Sequence, residues 1–149
     1  MMKRVVATGT FDLLHPGHLY YLEESRKLGD ELHVIVARDA NVRHKPKPVI
    51  PEEQRLKLVS ALKPVDRAWL GDPLDMWKPI RMLNPSIITI GFNQHFSEEA
   101  LRDGLAKQGI GAEVVRIGRY EKDTYCSSRI IVDEVLKRHG CVRKDPLLP

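Results

Sequence analysis

Short apolar runs alternate with longer amphipathic ones along the chain. Val5, Val6 and Ala7 predict a first strand. The spacing over residues 18–28 predicts a helix with Leu19 and Leu22 on one face, ended at Gly29. Residues 32–37 are β-branched and nearly all apolar, a second strand. A helix is expected over 51–62, with Pro51 at its start and Glu52 and Glu53 in the first turn, where they complement the helix dipole. Residues 66–70 predict a third strand, 76–83 a helix closed by Asn84-Pro85, and 87–90 a fourth strand. A helix over 97–108 has Ser97 as N-cap and Gly109 as terminator. A fifth strand over 113–117 and a last helix over 127–139, stopped by Gly140, complete the pattern.

Strands separated by helices at this spacing predict βαβ units and a parallel sheet. The continuous apolar strands agree, because a parallel sheet is covered on both faces. The fold class is α/β: a single Rossmann-like, doubly wound domain with a five-stranded parallel sheet, over residues 1–140, followed by a loosely packed tail over 141–149. Trp69, Trp77 and Met76 are assigned to the core rather than to an interface. In such sheets ligands bind beyond the carboxyl ends of the strands. That rule singles out the loops after the first, second, fourth and fifth strands, 8–18, 38–50, 91–96 and 118–128, named first, second, fourth and fifth after those strands.

Composition narrows the class further. With 149 residues, 42% hydrophobic and 30% charged, the chain is one ordinary domain of a soluble protein. No apolar stretch reaches membrane-spanning length and no signal peptide is recognisable, so the cytoplasm is the expected compartment, with no membrane partner. The two cysteines, Cys126 and Cys141, form neither a disulfide framework nor a zinc pattern. The net charge of +4 suits a protein that holds phosphates. No basic run with interleaved aromatics marks a nucleic-acid partner.

The first loop carries Gly9-Thr10-Phe11-Asp12-Leu13-Leu14-His15-Pro16-Gly17-His18. It runs into a helix N-terminus, where free N–H groups and a positive dipole attract phosphate. Two histidines three residues apart there can address one ligand. Gly17 allows close backbone approach and Pro16 fixes the turn. Transfer of a nucleotidyl group needs charge stabilised on the attacked phosphorus and on departing pyrophosphate, which imidazole donors and a helix N-terminus supply without a covalent intermediate. The plainer reading makes His15 a cap and His18 a surface residue. Lys45 and Lys47 lie on a stiff, proline-interleaved segment of the second loop. Arg55, one turn into the second helix, is either structural or within reach of an acceptor. Asn93 either bonds a base or ribose or caps a helix. Tyr120 sits where it can stack on a nucleotide, and Ser127 and Ser128 read as cap, as a second phosphate cradle, or both.

Thr10-Phe11-Asp12 with His15-Pro16-Gly17-His18 resembles the signature of the HxGH nucleotidyltransferase superfamily, in its cytidylyltransferase-like branch. The resemblance implies that His15 and His18 contact the triphosphate and stabilise the transition state, while Thr10, Phe11, Pro16 and Gly17 border the nucleotide and Asp12 braces the loop. It implies that one lysine of the second loop, Lys47 by preference, reaches the phosphates, and that Ser127, Ser128 and Arg129 bind the β- and γ-phosphates. Asn93 stands where many relatives have Asp. Over residues 28–39, 50–55, 62–66 and 126–128 the chain is more specifically similar to the archaeal-type FAD synthases. That likeness implies ATP and FMN as substrates, a divalent cation such as Mg²⁺, and a homodimer. The alternatives are a cytidylyltransferase for glycerol 3-phosphate or a sugar or lipid-precursor phosphate, and a nucleotide-binding module without catalysis.

Overall fold

The computed structural model describes residues 1–141. Of the expected tail, residues 142–149 lie outside the described part. Five strands, β1 (Arg4–Gly9), β2 (Glu31–Val36), β3 (Arg67–Leu70), β4 (Ile87–Ile90) and β5 (Glu113–Arg116), form one all-parallel sheet in the order β3-β2-β1-β4-β5. The helices are α1 (Pro16–Arg26), α2 (Glu52–Ser60), α3 (Trp77–Leu83), α4 (Glu98–Lys107) and α5 (Ser128–Arg138). Each strand–helix–strand crossover returns parallel, as a twisted sheet covered on both faces requires. The expected fold is the observed one.

Alternation along β1 divides the interior in two. Val5 and Ala7 point to one face, where they meet Leu22 of α1, Val59 of α2 and Val34 and Val36 of β2. Val6 points to the other, with Ile35, Ile88, Ile80 and Leu83 of α3, and Leu101 and Leu105 of α4. Strand order reverses between β1 and β4, so the crevice at their carboxyl ends is the switch point where a ligand fits.

Tyr21 lies beneath that crevice. Its hydroxyl donates toward the carbonyls of Thr8 (3.0 Å) and Thr89 (2.8 Å) and accepts from the Thr8 N–H (3.2 Å). Ser25 and Thr89 extend the buried network at 2.8 Å between hydroxyls. One side chain of α1 therefore ties together the ends of the two strands that flank the switch point.

The helix boundaries differ from the sequence reading in an informative way. α1 begins at Pro16, not at 18, because His15 itself caps the helix and proline takes the first turn, where its missing N–H is harmless. Its buried face is Tyr21, Leu22 and Ser25, and Leu19 is exposed. Pro51 precedes α2 with an extended backbone, and Glu52 is the first helical residue. Ser97 and Ser127 cap α4 and α5 through their side chains, and Gly109 and Gly140 follow those helices at positive φ. A short 3₁₀ turn, Asp39–Asn41, had no signal in the sequence. Trp69 and Trp77 pack against the second core, but Met76 is exposed.

Candidate active site

The first loop is held in a demanding shape. Phe11 and Leu13 adopt φ of 58° and 46°, left-handed values that cost a non-glycine residue about 1–3 kcal/mol each. Phe11 is buried, and its ring occupies the space in front of Gly9, where a Cβ would lie 2.8 Å from it. Three neighbours hold the conformation. The Asp12 carboxylate accepts from the Val49 (2.8 Å) and Ile50 (2.9 Å) N–H groups of the second loop. The Asp12 carbonyl accepts from the Ser128 hydroxyl at 2.6 Å. The Thr10 carbonyl accepts from Arg55 at 2.6 Å. Asp12 is thus the brace expected of it, joining three loops from three parts of the chain.

Arg55 is the largest fully buried side chain in the protein's described residues, and its side chain is 0% exposed. Besides Thr10 it donates to the Ile50 carbonyl (2.8 Å) and to the Asp39 carboxylate (2.6 Å). It is structural: no acceptor reaches a group so enclosed.

His15 accepts at Nδ1 from the N–H groups of Gly17 (3.1 Å) and His18 (3.4 Å), satisfying two orphan donors of α1. In a neutral imidazole this places the proton on Nε2, as a donor. The ring of His18 stacks on that of His15 with centroids 3.7 Å apart, and Phe11 lies against its other side at 5.5 Å. Burial lowers the pKa of His15 to about 4. Burial, then His15 and Lys45, lower that of His18 to about 3. Both rings are neutral at pH 7, which is why they can stack. His18 Nδ1 is buried without a hydrogen-bond partner, an energetic cost that folding alone does not explain.

A pH dependence follows. Between pH 6.5, the ordinary histidine value, and about 4, the unfolded chain binds protons that folded His15 and His18 refuse. Stability therefore falls as pH falls through that window. Thermal melts of the ligand-free protein from pH 7 to 5 should show a declining Tm, and His18→Asn should flatten the decline. A slope unchanged by that substitution would contradict the assignment.

Other residues from the sequence reading are distributed around this pair. Lys45 is half-buried, with its pKa lowered chiefly by burial, and it interacts electrostatically with Asp12 and His18. Lys47 is exposed. The lysine brought toward the histidines is therefore Lys45, not the preferred Lys47, because the bend at the second loop turns only the former inward. Gly17 makes its close approach to protein: a Cβ there would sit 2.6 Å from the Cys126 carbonyl. That contact seats the fifth loop on the start of α1. Ser127 accepts from the Ile130 N–H as N-cap at 3.2 Å, and Arg129 lies exposed on the first turn of α5, 3.9 Å from Asp133. Tyr120 stacks on Tyr20 of α1 at 5.0 Å and donates to Asp123 at 2.6 Å. Asn93 is exposed at the tip of the fourth loop and His95 meets His44 edge-on at 4.4 Å, so the second and fourth loops touch.

Two site-forming residues were missed. Gln94 accepts from the Gly91 N–H (2.6 Å) and donates toward the Thr8 hydroxyl (3.4 Å), crossing the switch point from β4 to β1. Arg116 at the end of β5 donates to the Gly91 carbonyl (2.8 Å) and pairs with Glu98 (3.1 Å), fixing the same loop. A glutamine in a loop and an arginine ending an edge strand carry no distinguishing pattern, so no local signal marks them.

The histidine pair stands at the N-terminus of α1, the start of α5 bonds to the same loop through Ser128 and Asp12, and the crevice between β1 and β4 is the switch point of the sheet. The sequence matches the cytidylyltransferase-like family over residues 6–134, and the chain belongs to that family. Within it, the chain is 66% identical to the FAD synthase of Methanolacinia petrolearia, over 92% of this chain and 93% of that one. It is 62% identical to the FAD synthase of Methanosphaerula palustris, over 93% and 91%. A solved structure, the lipopolysaccharide core biosynthesis protein from Thermoplasma volcanium, superimposes with a TM-score of 0.78 at 50% identity, covering 81% of this chain and all of the other.

Proposed function

We propose that this chain is an FMN adenylyltransferase, an FAD synthase that joins the AMP moiety of ATP to FMN. A phosphate oxygen of FMN forms a bond to the α-phosphorus of ATP, and the bond from that phosphorus to the departing pyrophosphate breaks. The observation that carries this reading is the neutral, stacked His15–His18 pair at the N-terminus of α1, in a chain 66% identical to an FAD synthase.

The difficulty of the reaction is electrostatic, since an anion attacks a polyanion. Neutral imidazoles contribute N–H donors, the α1 N-terminus contributes backbone donors and dipole, and Lys45 adds a cation. His15 and His18 are assigned to the charge that builds on the transferred and leaving phosphates. Ser127, Ser128 and Arg129 at the start of α5 take the outer phosphates, and Thr10, Phe11, Asn93 and Tyr120 border the nucleoside. A divalent cation such as Mg²⁺ would neutralise phosphate charge when bound with the nucleotide. Among the described residues no three His, Cys, Asp or Glu gather as a metal site; Mg²⁺ commonly binds through substrate phosphates and keeps several waters. No described helix is long and apolar enough to cross a membrane. A cytoplasmic homodimer is the assembly we assign by kinship, and light scattering on the purified chain tests its mass.

The discriminating assay offers ATP or CTP with FMN or glycerol 3-phosphate. FAD and pyrophosphate from ATP and FMN alone is the expected outcome. Turnover only with CTP would replace this reading by a cytidylyltransferase, and nucleotide binding without turnover would replace it by a binding module.

A further inference from the structure

A second cleft opens beside β3, away from the histidine pair. It is an open cleft of about 120 Å³, lined by Arg38, Trp69, Gly71, Lys78, Pro79 and Met82, among others. We propose that it holds the isoalloxazine ring of FMN, so that the protein selects its acceptor by the flavin and not by the phosphate alone. This rests on the adenylyltransferase reading and adds the subsite that reading lacks.

Position is the first argument. The two substrates must meet at His15 and His18 and extend away from each other. β4 and its loop lie on one flank of β1, and β2 and β3 lie on the other. Neighbouring strands are about 4.8 Å apart, so the carboxyl end of β3 stands roughly 10 Å from that of β1. A ribityl phosphate covers that order of span. The cleft is also tied to the first loop: the Ala37 N–H donates to the Gly9 carbonyl at 2.9 Å, and Arg38 follows directly.

Chemistry is the second argument. Isoalloxazine is a flat aromatic system with one apolar edge and one edge of carbonyl and ring-nitrogen acceptors. The cleft offers the matching halves. Trp69, Pro79 and Met82 make an apolar wall, with Met82 65% exposed. The indole is held in place, since its N–H donates to His33 Nδ1 at 3.1 Å. Arg38, which donates to the Gly71 carbonyl (2.5 Å) and to Glu52 (3.2 Å), and Lys78, 3.4 Å from Asp72, place cations at the rim.

Gly71 is the third argument. Its φ is not in the left-handed range, and a Cβ there would meet only the Val36 carbonyl at 3.7 Å and Ile35 Cγ2 at 3.8 Å, ordinary contacts. Neither backbone nor packing demands glycine. The absent side chain leaves the cleft open instead.

The test is a blocked cleft. Gly71→Phe should raise KM for FMN about tenfold or more, the equivalent of losing one good aromatic contact, while leaving KM for ATP within about twofold. Riboflavin, which has the ring without the phosphate, should inhibit the wild type competitively against FMN and lose that effect in the variant. Should Gly71→Phe fail to fold, Met82→Glu on the exposed rim makes the same comparison. An unchanged KM for FMN in a folded variant, or a rise in KM for ATP instead, overturns the assignment. Wild-type enzyme that makes no FAD at all overturns the underlying reading, and the flavin site falls with it.

Discussion

His18→Ala should lower turnover about 10²–10³-fold, the loss typical of removing one donor from a charge-stabilising site, with the fold retained. The reason the fold survives is the surroundings of His18. Its Nδ1 is buried without a partner, so removing the ring also removes an unmet hydrogen-bonding demand. The remaining loss is ring contact with His15 and Phe11. The backbone caps of α1 depend on His15 and stay in place. Single-turnover rates with saturating ATP and FMN, alongside a thermal melt, check both halves. A variant that keeps near wild-type turnover removes His18 from the chemistry, and one that unfolds makes it a core residue.

Arg55→Met should cost about 2–4 kcal/mol of stability, chiefly from two backbone carbonyls that lose a charged donor, the pair with Asp39 adding less because Asp39 is 36% exposed. Asp39 would keep its charge without its partner, and the carbonyls of Thr10 and Ile50 would lose their donors. At about 2–4 °C per kcal/mol for a chain of this size, Tm should fall by roughly 10 °C. Arg55→Lys should not rescue it, because one ammonium cannot replace a planar fork serving three acceptors in three directions. Activity should fall well below the melting temperature too, as the first and second loops lose their shared anchor. A change in Tm of less than a few degrees would show that the loops are held by Asp12 and Ser128 alone.

The fold was legible because buried parallel strands read as unbroken apolar runs, and Gly109, Gly140, Ser97 and Ser127 punctuate the helices as their local chemistry demands. The histidine pair was legible for a similar reason: both members sit on one short stretch of chain. What sequence could not supply is tertiary. Arginine one turn into a helix usually faces solvent, and only the placement of Asp39, Ile50 and Thr10 around it makes Arg55 a buried hub. Lys45 and Lys47 stand on either side of Pro46 in one short segment, and sequence alone does not say which is enclosed; Lys45 is half-buried and Lys47 exposed. Gly17 was read as allowing close backbone approach, and one group that approaches it is the Cys126 carbonyl, over a hundred residues along the chain. The cleft at Trp69 and Gly71 is assembled from the ends of β2 and β3 and from α3, and no continuous motif marks it.

A crystal structure of the protein with FAD bound tests most directly that ATP and FMN are joined at the histidine pair. The newly made phosphoanhydride should lie within hydrogen-bond distance of His15 and His18, with adenosine toward the start of α5 and the flavin toward β3. FAD bound away from those histidines, or a cytidine nucleotide taken up there in preference to adenine, would contradict it.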